Sequence, residues 1–151
     1  MDPHALTALL ESVADFAKLM IRETGEFYPF GGFLAADGRV TQLAVDSGEE
    51  HPERQEVYRQ MEDALRKRVM TREASAIALV ADVNIPPAYQ PAFPDGIRIL
   101  IEAPGYSRFF YLPYARPRRG AVSLGREPEP TCGKFISVDV PASFFSTRVD
   151  A

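Results

Sequence analysis

Ala76-Ile77-Ala78-Leu79-Val80-Ala81-Asp82-Val83 is the stretch on which the fold turns. It is short, continuously apolar as far as Ala81 and partly β-branched, which suits a strand buried on both faces. A strand of that kind lies inside a sheet, so the segments before and after it must supply neighbours and cover.

Upstream, Asp2 can cap a first turn and Pro3 suits the first helical position. Leu6, Leu9, Leu10, Val13, Phe16, Ala17 and Met20 then recur on one helical stripe, and Gly25 can take the left-handed conformation that ends a helix. The spacing predicts a helix over about residues 3 to 24. Phe33 to Ala36 and Arg39 to Val45 flank Asp37-Gly38, a pair that suits a tight hairpin turn. Pro52 opens a second amphipathic helix, expected over about 52 to 71, with Val57, Met61, Ala64, Leu65 and Val69 as its stripe. Glu49, Glu50, Glu53 and Glu56 at its start and Arg66, Lys67, Arg68 and Arg72 at its end complement the helix dipole, so these charge runs need no ligand to explain them.

Downstream, ten of the thirteen prolines fall from Pro86 onward, which argues for strands and loops and against any long helix after residue 85. Ile97, Ile99 and Ile101 alternate with Arg98, Leu100 and Glu102, and Pro104-Gly105 turns the chain into Tyr106 to Tyr114. An odd-length turn would place Ile99 and Ile101 with Phe109 and Tyr111, whereas a two-residue turn would set Ile101 opposite Arg108. The odd turn is the expectation, because it gathers the branched and aromatic residues on one face. Residues 116 to 130 read as a polar, mobile connection, and Phe135 to Val140 as an edge strand. The result is one α+β domain over residues 1–151, of order α-β-β-α-β-β-β. It is expected as a two-layer sandwich of two main helices on a mainly antiparallel sheet of about five strands.

Composition narrows the functions. With 151 residues, 46% hydrophobic and 25% charged, the chain has the balance of an ordinary folded domain. Lys plus Arg number 17 against 21 Asp plus Glu, a net charge of −4, so no general basic field exists to hold a nucleic acid. The start is acidic and the longest apolar run falls far short of the roughly 20 residues of a membrane-spanning helix, so neither export nor a membrane is expected. A bacterial-type cytoplasm with Cys132 reduced is the expected setting. One cysteine and two separated histidines, His4 and His51, offer no ligand spacing, and no metal or cofactor is expected.

This element order resembles profilin-like and roadblock-type domains, a resemblance that implies helices on an antiparallel sheet and function by binding. Gly25-Glu26-Phe27-Tyr28-Pro29-Phe30-Gly31 with Asp37-Gly38, and later Leu112-Pro113-Tyr114, is similar to a family of small uncharacterised bacterial proteins. That family implies no activity to transfer.

The candidate sites each carry a plainer alternative. Tyr28 and Phe30, with Phe27 and Pro29, could line an aromatic pocket, although such residues more often close one end of a core. Asp82 shares a strand face with Ala78 and Val80, where a desolvated carboxyl would suit acid catalysis, but a hydrogen-bonded strand end with Asn84 is the simpler reading. Tyr89 and Phe93, among prolines, could serve an interface or fold over a sheet edge. Arg116, Arg118 and Arg119 could hold an acidic partner or form a solvated loop. Cys132 has no positioned base, and Gly133-Lys134 lacks the remainder of a phosphate loop, so no catalytic residue is assigned. The sequence therefore points to a non-enzymatic protein-interaction or accessory domain, a class into which an immunity-type protein would fit, with a protein partner or a second copy of the chain as its partner. The alternative is a small-molecule-binding domain with an aromatic-lined pocket, and a third reading is an enzyme using Asp82.

Overall fold

The computed structural model describes residues 2–46, 48–116 and 130–145. Helix α1 spans Pro3–Thr24 with both expected caps: Asp2 Oδ1 accepts from the His4 amide at 2.9 Å, and Gly25, at φ +84°, donates its N–H to Ile21 O at 2.8 Å. Strands β1 (Phe30–Ala35) and β2 (Val40–Leu43) form the first hairpin, and α2 (Arg54–Met70) follows. Then come β3 (Ala74–Asn84), a 3-10 turn at Pro87–Tyr89, β4 (Asp95–Ala103), β5 (Tyr106–Ala115) and two short strands, β6 (Thr131–Cys132) and β7 (Ile136–Asp139). The sheet is antiparallel throughout, in the order β2-β1-β3-β4-β5-β6, with β7 also pairing β5. The apolar stretch that decided the fold is thus an interior strand, and the expected long helix-free second half holds among the described residues.

The α+β layering is repeated on each side of one sheet. Ala76, Ala78 and Val80 join Leu9, Val13, Ala17 and Ile21 in one apolar cluster, whereas Ile77 and Leu79 join Met61 and Leu65 in another. Alternate residues of a strand point to opposite faces, so α1 and α2 each make a helix-on-sheet layer with a different face of β3. The adjacent glycines of β1 say the same. A Cβ at Gly31 would stand 3.0 Å from Met61 Sδ, and one at Gly32 would stand 3.2 Å from Val13 Cγ1.

One expectation fails. The β4–β5 connection is a two-residue turn, with Ala103 opposite Tyr106, Ile101 opposite Arg108 and Ile99 opposite Phe110. Pro104 presets the first turn position and Gly105 takes φ +76° at the second, the combination a tight turn of this kind requires. Strand β5 tolerates this register because both of its faces are apolar: Phe110, Leu112 and Tyr114 face the α1 side with the isoleucines, while Phe109 and Tyr111 face the α2 side with Leu100 and Arg98. Cys132 pairs with Tyr114 as part of β6 while remaining exposed. Residues 117–129, and with them Arg118, Arg119 and the expected mobile connection, lie outside the described residues.

Because Cys132 and His51 are both exposed, Cys132→Ser and His51→Ala are expected to shift the denaturation midpoint by no more than about 0.5 kcal/mol equivalent. Urea titration of each variant checks this.

After β7 the chain crosses the α2 face as a strap. Three successive amides, of Ser143, Phe144 and Phe145, donate to the single oxygen Oε1 of Glu102 at 2.8, 2.7 and 2.9 Å. Glu102 is fully buried, and Phe144 packs into the Met61–Leu65 cluster beneath the Arg66 guanidinium, 4.6 Å from its ring centroid. The strap therefore closes the Glu102 end of β4 and leaves the Arg98 end free of it.

Candidate functional site

On the α2 face, the helix packs on β1 and β3, and β4 and β5 extend beyond it. Period-two alternation puts Arg98, Leu100 and Glu102 of β4 on that face. The strap covers Glu102, so the half-buried Arg98 floors what remains, a groove between α2 and β5. Arg98 Nη2 donates to Tyr58 Oη at 3.1 Å, and its guanidinium carbon stands 5.5 Å from the Tyr58 ring centroid and 4.8 Å from that of Phe109. Phe109 packs edge-on against Tyr111 at 5.9 Å, and Tyr111 in turn meets Tyr89 at 5.7 Å. Four aromatic rings, from α2, β5 and the 3-10 turn, thus surround or extend from one arginine.

The electrostatics are one-sided. No carboxylate among the described residues lies within ion-pair distance of Arg98. Its neighbours Tyr58 and Tyr111 both have hydroxyl pKa values raised by burial, partly opposed by the Arg98 charge. They stay neutral phenols near pH 7, so both meet the guanidinium as hydrogen-bond acceptors and neither as an anion. Beside it opens a shallow cavity of about 280 Å³ whose lining includes Pro29, Arg54, Tyr58, Asp82 and Arg98. Arg54 is already engaged: it pairs with Glu26, donates to Phe27 O at 2.6 Å and stacks 4.9 Å from the Tyr28 ring centroid.

The residues singled out from the sequence divide accordingly. Tyr28, 38% exposed, stands beyond Arg54 at the rim, and Tyr89, 39% exposed, extends the aromatic row. Phe30 is buried at 5.0 Å from Phe16 and 5.7 Å from Phe27, closing the end of the α1 core and out of reach of a ligand. Phe93 is half-buried, and no ring contact joins it to the row. Arg116 donates to Gly25 O at 2.8 Å and pairs with Asp95 at 2.7 Å. It ties the end of β5 to the loop after α1 while its side chain remains 44% exposed.

Asp82 meets Tyr114, whose hydroxyl donates to Oδ1 at 2.7 Å, with Arg116 Nη2 3.6 Å from Oδ2. Its partner across the strand end is therefore Tyr114, and Asn84 is exposed. Burial pushes the Asp82 carboxyl above its ordinary value of 3.8, against the Tyr114 hydrogen bond and the Arg116 charge. Burial and the Asp82 acceptor together push Tyr114 far up, so it is a fixed neutral donor.

An acid whose folded-state pKa is raised contributes stability fully present below the unfolded value and lost as pH rises through the folded one. Asp82→Asn keeps an acceptor for Tyr114 and removes that dependence. Its stability relative to the native chain is expected to rise between about pH 4 and 7, as urea midpoints at stepped pH would record. A pH-independent gap would contradict burial as the dominant cause.

Arg98, Tyr58, Phe109 and Tyr111 escaped the sequence reading. An arginine alternating with isoleucines reads as the solvent-facing position of a strand, and the aromatic neighbours come from elements 11 to 40 residues away. A signal was present in Arg98 itself, the one cation of β4, set between two isoleucines. Among the described residues no three His, Cys, Asp or Glu side chains cluster as a metal site, and no helix is long and apolar enough to cross a membrane. No protein-family model, curated protein or solved structure matches the chain.

Proposed function

We propose that this chain is a non-enzymatic interaction domain that holds an acidic protein partner at the Arg98 groove. The observation that carries the reading is a half-buried guanidinium without an anionic partner among the described residues, set in a row of tyrosine and phenylalanine rings. Desolvating a cation is costly unless an anion meets it, and the groove leaves that place open to another molecule. Tyrosine and arginine are also the side chains that dominate the binding energy of protein interfaces, because they bury large rigid surfaces and retain polar ends.

A small-molecule ligand is the second reading, favoured by the cavity of about 280 Å³ between Arg54 and Arg98. Native mass spectrometry of the purified chain separates the two, since a retained small ligand adds its own mass. The test of the first reading is capture from the source cell with the native chain and with Arg98→Met as baits, at low and at moderate salt. Loss of specific partners in the variant, and weakening of the native complex by salt, is the expected outcome. Identical partners in equal amounts from both baits would overturn the assignment.

A further inference from the structure

We infer that the Arg98 groove recognises a single carboxylate carried beside an aromatic ring on the partner polypeptide, and that it discriminates against phosphate. The inference rests on the interaction-domain reading and specifies the group that reading leaves open.

Two features of the groove set the chemistry. A guanidinium has five N–H donors in one plane, and its faces are where aromatic rings pack. The Tyr58 and Phe109 rings lie against Arg98, and the Tyr58 and Tyr111 hydroxyls each take a donor, so the free hydrogen-bonding capacity is in the donors left at the planar edge. A carboxylate meets such an edge with two parallel hydrogen bonds. Tyr111 is buried, so the half-buried Phe109 and the exposed Tyr89 are the surface left for an aromatic or apolar stem, and neither supplies a further cation.

The surroundings then limit the charge of the ligand. Asp82 lines the adjoining cavity, and Glu53, Glu56 and Glu62 line the neighbouring face of α2 with Tyr58 and Arg59. The Glu62 charge reaches Tyr58 itself, raising its hydroxyl pKa. Arg59 is paired with Glu56 and Arg54 with Glu26, so either could answer a second charge only by giving up an existing ion pair. A phosphate, carrying about −1.5 to −2 charges, would face these carboxylates with one arginine to answer it, whereas a carboxylate is matched one to one.

The test uses the isotopically labelled whole chain and three defined probes: N-acetylphenylalanine, N-acetylphenylalaninamide and phenyl phosphate. The readouts are the Arg98 Nε–H signal and the ring signals of Phe109 and Tyr111. Saturable shifts with N-acetylphenylalanine are expected at millimolar concentration, with the amide and phenyl phosphate at least about fivefold weaker. Arg98→Lys, which keeps the charge and loses the fork, is expected to weaken the probe by a similar factor, and Arg98→Met to abolish the shifts. Equal binding of the amide, tighter binding of phenyl phosphate, or unchanged binding to both variants would overturn the inference. A dimer of the native chain that Arg98→Met converts to monomer would also overturn it, by giving the groove to a second copy. If instead N-acetylphenylalanine binds as expected while native and Arg98→Met baits capture the same proteins, the carboxylate site stands and the protein-partner reading falls.

Discussion

Replacing Glu102 by alanine is expected to destabilise the fold by about 3 kcal/mol. Its Oε1 accepts three backbone hydrogen bonds, and a buried amide left without its acceptor costs about 1–3 kcal/mol. The sum is not reached, because the strap can peel away and let water take its amides. What is then lost is the docking of the strap, chiefly the burial of Phe144, worth about 1.5–3 kcal/mol, and the Arg66 contacts to it. Glu102→Gln keeps the Oε1 acceptor. It places an amide where Oε2 is buried without a donor among the described residues, so an intermediate cost is expected. The double variant Glu102→Ala/Phe144→Ala should cost much less than the two single changes added together, since each releases the same segment. Urea denaturation of the four proteins checks the pattern. Additive costs would mean that Glu102 stabilises something other than the strap.

The second large effect is in the two cores. Leu9 and Leu65 are completely buried on opposite faces of the sheet, and truncating either to alanine is expected to cost on the order of 2–5 kcal/mol. Their different clusters make a further prediction: the double variant should be additive to within about 0.5 kcal/mol, because no side chain is common to the two sites. Strong coupling between them would contradict the placement of α1 and α2 on separate faces. A chain this size cannot lose both leucines with much margin left, so the double variant is best measured with a stabilising osmolyte present.

What the sequence made legible was local. Helix α1 announced itself through Asp2, Pro3, its apolar stripe and Gly25, all within one element. Strand β3 did so through an uninterrupted apolar run, whose cover on both faces is now seen to come from a helix on each side. The β4–β5 register was not legible, because β5 carries aromatic residues at both parities and hydrophobic alternation could not choose between them. Glu102 read as the polar position of a strand, since the amides that bury it come from 41 to 43 residues later. Asp82 was placed correctly at a hydrogen-bonded strand end, yet its partner Tyr114 lies 32 residues away on β5. Arg98 was missed for the same reason on a larger scale. Its setting depends on how far α2 reaches across the sheet and where the strap stops, and neither is written in the residues around it.

The central claim is that Arg98 serves recognition at a cost to the fold, and equilibrium denaturation of Arg98→Met tests it most directly. Methionine keeps an apolar stem against Tyr58 and Phe109 and removes a partly desolvated charge that no carboxylate among the described residues meets. The account predicts a variant at least as stable as the native chain. A loss of more than about 1.5 kcal/mol would make Arg98 a structural residue held by its tyrosine and phenylalanine neighbours, and would contradict a groove kept for a partner.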